Sequence, residues 1–99
     1  MEMTQQYMVS GRATRVFADS LDGWTKVIYH STCVIRWDKK EIVLDSGGWR
    51  TSTTKTRMNQ ASHQYDLGID VFQKKGVWYV KTAHGTVDFF DGMKLNRGA

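Results

Sequence analysis

Lys26-Val27-Ile28-Tyr29-His30-Ser31-Thr32-Cys33-Val34-Ile35-Arg36-Trp37 is the stretch that sets the fold class of this chain. Val27, Ile28, Tyr29, Thr32, Val34, Ile35 and Trp37 are β-branched or aromatic, the composition of a strand. Asp38-Lys39-Lys40 breaks the run with polar groups, and Glu41-Ile42-Val43-Leu44-Asp45 follows as its hairpin partner. Gly47-Gly48 then ends that partner strand or bulges it.

Working outward, the period changes. Over residues 53–66, Thr54, Met58, Ala61 and Tyr65 recur at i, i+4, i+7 and i+11 and share one face of a helix. Leu67-Gly68 is the stop signal, with Gly68 suited to the left-handed cap. Beyond it the spacing predicts a β-meander: strands over 69–73 and 77–82 flank Lys74-Lys75-Gly76, His84-Gly85 turns into a strand over 86–90, and Asp91-Gly92 is a hairpin signal before a terminal strand at Met93-Lys94-Leu95. Phe72, Trp78 and Val80 are placed toward the core, with Val77, Tyr79 and Lys81 pointing away. Upstream, Ser20-Leu21-Asp22-Gly23 reads as a turn, and Tyr7, Val9, Val16 and Phe17 as a first strand or a short docked segment, with residues 1–10 frayed. The expectation is a single small α+β domain over 1–99: hairpin, one helix, β-meander, with the helix on one face of an antiparallel sheet of five to six strands.

Composition sets limits on function. Among 99 residues, 40% hydrophobic content with four Trp, four Tyr and four Phe is enough for one modest core, which excludes global disorder. Cys33 is the single cysteine, so neither an internal disulfide nor a thiolate zinc cluster can form. Residues 1–9 lack the layout of a signal peptide and no apolar run reaches membrane length, so no membrane partner is expected. A net charge of +4 suits nucleic acid or an acidic protein surface, but is well below that of an obligate DNA coater. With no proline, turns fall to Gly, Asp, Asn and Ser, and edge strands lack a proline guard.

The candidate site lies between the hairpin and the meander. Ser46-Gly47-Gly48-Trp49-Arg50-Thr51-Ser52-Thr53-Thr54-Lys55-Thr56-Arg57-Met58-Asn59-Gln60 puts free N–H groups, hydroxyls and cations around one helix start, chemistry suited to an anion. Trp49, Arg50, Thr53, Thr54, Lys55 and Arg57 are the candidate contacts to phosphate and base. The same residues also read as an N-cap with surplus hydroxyls and solvated cations. The run is no Walker loop, because Gly47-Gly48 leads into Trp49 and not into a lysine followed by Ser or Thr. Trp49 is the aromatic most suited to exposure, while Trp24, Trp37, Trp78 and Tyr79 are needed largely for the core. The lysine pairs Lys39-Lys40 and Lys74-Lys75 sit at hairpin tips. His30 and Cys33, three apart on a strand, point to opposite faces, and His63 and His84 have no metal-like spacing. No catalytic set, metal or cofactor is expected.

The segment over 42–60, followed by Val71-Phe72-Gln73-Lys74-Lys75-Gly76-Val77-Trp78-Tyr79-Val80, resembles a group of short proteins of tailed bacteriophages. They share a Gly-Trp pair, a Thr-Thr-Lys element, an Arg and an Asn, and a later pair of strands carrying Val-aromatic-Gln and Trp-Tyr-Val. The resemblance spans roughly residues 26–90 and carries no catalytic residues over. It implies a host-takeover or anti-defence factor acting in the host cytoplasm by binding rather than catalysis. A basic protein of that kind fits nucleic acid or a nucleic-acid-bound host complex. The alternatives are a protein–protein inhibitor of a host defence enzyme, of the anti-CRISPR kind, and a minor virion assembly protein. Independently, an unguarded edge at Met93-Lys94-Leu95 leads to the expectation of a homodimer.

Overall fold

Tyr29 ends one strand and Thr32 begins the next, so the run over 26–37 is itself a hairpin and not a single strand. The computed structural model describes residues 13–97, and the expectations for Tyr7, Val9 and the first ten residues lie outside them. The strands are β1 (Thr14–Ala18), β2 (Thr25–Tyr29), β3 (Thr32–Trp37), β4 (Glu41–Leu44), β5 (Asp70–Lys74), β6 (Val77–Thr82), β7 (Gly85–Asp88) and β8 (Met93–Asn96). One helix, α1 (Ser52–Tyr65), lies between β4 and β5.

The turn that splits β2 from β3 is His30-Ser31, and it contains no glycine. His30 takes φ 57°, a left-handed conformation that His tolerates better than most side chains. Its N–H is held by the carbonyl of Ala13 at 2.8 Å. The placement of His30 and Cys33 on opposite faces of one strand is therefore corrected: His30 is a turn residue. The register shifts between Val27 and Ile28, which leaves Val34 as an extra residue in β3. The carbonyl of Val34 is taken up by the N–H of Asp45 at 3.0 Å.

The fold is α+β, with all strand pairs antiparallel. The strands divide into a five-stranded sheet ordered β1-β2-β3-β4-β8 and a three-stranded sheet ordered β5-β6-β7. The last strand does not extend the meander. Asp91-Gly92 carries the chain from one sheet to the other, and Met93 pairs with Leu44. Burying Met93 beside Leu44 and Ile42 draws β8 across.

One cluster of buried side chains joins the layers. Val27, Ile35, Ile42 and Leu44 from the larger sheet meet Met58 and Ala61 of α1 and Val71, Trp78 and Val80 of the smaller sheet. The helix face expected from the sequence is the one used: Thr54, Met58 and Ala61 are buried, and Tyr65 packs on Trp37 with ring centroids 4.7 Å apart. Two expectations change. Val71, not Phe72, faces the core, because Phe72 pairs with Tyr79 on the outer face of the small sheet at 5.6 Å. The left-handed cap falls on Asp66 (φ 56°) and not on Gly68; its N–H closes on the carbonyl of Ser62. Helix and small sheet are tied by side chains. The Asn59 amide donates to the Val71 carbonyl at 2.9 Å and accepts from the Val71 N–H at 2.7 Å. The Ser62 hydroxyl does the same for Ile69, at 2.6 and 3.1 Å.

Candidate functional site

The approach to α1 is a tight turn. Trp49 N–H donates to the Ser46 carbonyl at 3.0 Å, and Gly47 and Gly48 between them both take positive φ, 64° and 87°. Only glycine adopts that pair freely, which explains why the strand ends there. Thr51 N–H then folds back on the Trp49 carbonyl at 3.0 Å, and Thr51 becomes the N-cap with φ −108° and ψ 164°. Its hydroxyl accepts from Thr54 N–H at 3.3 Å and sits 3.2 Å from the Thr54 hydroxyl. The first turn of the helix itself holds no carboxylate, while Asp91, bonded to Ser46, lies close enough to Arg50 for their charges to interact.

The candidate side chains separate into two flanks. On one, the Arg50 guanidinium lies 5.0 Å from the Phe89 ring centroid and the Lys55 ammonium 5.5 Å from that of Trp78. Trp78 and Phe89 are themselves edge-on at 5.2 Å, so the two cations stand over one aromatic pair. Lys55 also donates to Gln73 at 3.2 Å. On the other flank, Arg57 donates from Nε to Thr14 at 2.9 Å and from Nη1 to Gln60 at 3.2 Å, with its guanidinium 5.7 Å from the Tyr29 ring. Thr54 is buried and holds the cap, while Thr53 is half-buried.

Trp49 is 71% exposed. With Thr51, Tyr29 and His30 it lines a pocket of about 360 Å³. The Tyr29 and His30 rings are 4.4 Å apart and tilted by 54°. Neither Tyr29 nor His30 stood out in the sequence as a site residue. They read as interior residues of a long strand, and only the glycine-free turn brings them beside Trp49.

The remaining polar clusters are structural or dispersed. Burial pushes the Cys33 thiol above its ordinary range, which makes it a poor nucleophile. Among the described residues, no three of His, Cys, Asp and Glu gather as a metal site, and no helix is long and apolar enough to cross a membrane. A second set of cations lies on the face of the large sheet turned away from α1. Register aligns Lys26, Arg36, Val43 and Lys94 in one row across β2, β3, β4 and β8. Lys26 is balanced there by Asp22 at 3.1 Å and Asp19 at 3.6 Å, and Arg36 rests on Trp24 at 4.9 Å.

The profile of the Kyanoviridae Gp96 protein matches residues 2–96. The chain belongs to this family. Kyanoviridae are tailed bacteriophages, so the Gp96 membership makes this a phage protein, the coarser part of what the resemblance implied. No curated protein and no solved structure matches the chain. Within this chain the residues behind that resemblance have structural duties: Gly47-Gly48 make the turn, Thr54 joins the cap, and Asn59 ties α1 to β5.

Proposed function

We propose that this Gp96-family protein is a non-enzymatic binding protein that engages nucleic acid, or a nucleic-acid-bound host complex, through the start of α1. The supporting observation is the pairing of Arg50 and Lys55 over the Trp78–Phe89 rings, beside the exposed Trp49 and a first helical turn without a carboxylate. Cations held against aromatic faces keep their charge outward while losing little freedom, which favours contact with phosphate. Arg57, held by Thr14 and Gln60, adds a third positive charge to the helix start. In a phage, such a protein serves host takeover or anti-defence in the host cytoplasm.

The test is a gel-shift series on single- and double-stranded DNA and RNA across salt. Binding weakens as salt rises, and Arg50→Ala lowers the slope of log K against log salt by about one. Absence of binding at low salt to all four ligands sinks the proposal. If Arg36→Ala and Lys94→Ala lower the slope while Arg50→Ala does not, the interface is the opposite face of the large sheet.

A second reading, an inhibitor that docks on a host protein, is favoured by Val87 and Phe90, which are 44% and 59% exposed on β7 and the loop after it. A stoichiometric host protein that stays bound after nuclease treatment and is lost with Phe90→Ser supports this reading.

A further inference from the structure

We infer that the pocket formed by Tyr29, His30, Trp49 and Thr51 takes one unpaired base of a single strand. This inference rests on the nucleic-acid reading above and narrows it to single-stranded substrate. Three of the four described lining residues carry flat π-systems: the Tyr29 and His30 rings at 4.4 Å from each other, and the Trp49 indole, 71% exposed. A pocket of about 360 Å³ holds a single purine or pyrimidine with space to spare. Aromatic walls are suited to a base because every base presents a π-face, whereas a base paired inside a duplex has that face covered.

Charge points to the same occupant. Among the described residues, no carboxylate lines the pocket. Arg57 backs Tyr29, with its guanidinium 5.7 Å from the ring, while Arg50, next to Trp49 in the chain, carries its charge to Phe89 on the other flank. An apolar slot with a cation behind one wall complements a ligand with a flat apolar centre and a negative backbone beside it. A neutral apolar ligand makes no use of the Arg57 charge, and a fully paired duplex makes no use of the slot. Among the described lining residues, Thr51, the N-cap, supplies an aliphatic hydroxyl and Tyr29 a phenolic one.

The experiment measures affinity by fluorescence anisotropy for a labelled deoxythymidine 12-mer and for a duplex of equal length at low salt. Wild-type protein is compared with Trp49→Ala and Trp49→Phe. Because Trp49 is exposed, its removal leaves the core intact, and circular dichroism checks this. The expected result is tighter binding of the single strand, about tenfold loss with Trp49→Ala, recovery of most of that loss with Trp49→Phe, and an unchanged salt slope. A single strand bound equally by wild type and Trp49→Ala overturns the pocket assignment while leaving the nucleic-acid reading in place. A duplex bound as tightly as the single strand does the same. No binding of either ligand overturns both.

Discussion

Asp91 Oδ1 accepts two hydrogen bonds from Ser46, one from the backbone N–H and one from the hydroxyl, each at 2.7 Å. The two residues are 45 positions apart, and the contact ties the turn before α1 to the crossing between the two sheets. Ser46 is 1% exposed, so its donors have no water to fall back on. Asp91→Ala is expected to lower stability by about 1–3 kcal/mol in urea denaturation, as the buried donors lose their acceptor.

The same contact predicts a pH dependence. Burial is the largest single influence and acts to raise the Asp91 carboxyl, but donation from the Ser46 N–H and hydroxyl, the Arg50 charge and the Gly48 N–H together outweigh it, so the net direction is below the usual aspartate range. A carboxyl lowered in the folded state stabilises fully above its unfolded value of about 3.9 and loses that contribution as pH falls through the folded value. Asp91→Asn, which keeps an acceptor but no charge, is therefore expected to be less stable than wild type at neutral pH. The gap is expected to close below about pH 4. A gap unchanged down to pH 2 contradicts the assignment.

Asn59 completes the open edge of the smaller sheet by presenting a donor and an acceptor to Val71, as a neighbouring strand would. Asn59→Asp keeps the shape but replaces the donor with a second acceptor against the Val71 carbonyl. It is expected to cost about 1–3 kcal/mol, and Asn59→Ala a similar amount. Hydrogen exchange provides the specific readout: the Val71 amide loses protection in Asn59→Ala before the β6 amides do. Equal loss across both strands counts against a local role for Asn59.

Gly47 and Gly48 are not equivalent. A Cβ on Gly48 meets open space, but one on Gly47 falls 2.7 Å from Thr32 Oγ1 and 2.8 Å from Thr32 Cγ2. Gly48→Ala is expected to cost about 1–2 kcal/mol for its left-handed backbone alone. Gly47→Ala is expected to cost about 1–3 kcal/mol more, from the clash. Adding Thr32→Ala to Gly47→Ala removes the two closest atoms, so a double-mutant cycle is expected to be non-additive in the stabilising direction. Strict additivity rules the clash out.

Self-association is expected through β8, the outer strand of the larger sheet. Its free side borders a groove of about 590 Å³ whose far wall includes Thr82, Ala83 and His84. No proline or bulge guards it, so it can pair with its copy across a two-fold axis. Lys81 lies on β6, the middle strand of the smaller sheet, and does not oppose that pairing; Lys94 lies on β8 itself and does. Sedimentation equilibrium at micromolar concentration is expected to show twice the single-chain mass of 11.4 kDa. A constant single-chain mass across the concentration range excludes the dimer.

The sequence alone determined what depends on neighbours along the chain. The face of α1 was legible because Thr54, Met58 and Ala61 repeat with the helical period, and β6 was legible because its alternation separates Trp78 and Val80 from Val77 and Tyr79. The exposure of Trp49 followed from two glycines that force the chain into a turn. Tertiary structure alone decided what depends on distant partners. Met93 joins Leu44 and not the meander because the choice between two sheet edges turns on which apolar side chains each buries, a sum no local window contains. His30-Ser31 turns the chain without glycine because the pairing of β2 with β3 holds His30 in a left-handed state its own preference does not demand. The pocket has the same origin. Tyr29 and Trp49 lie 20 residues apart, and the fold brings them together only after β3 and β4 have packed between them.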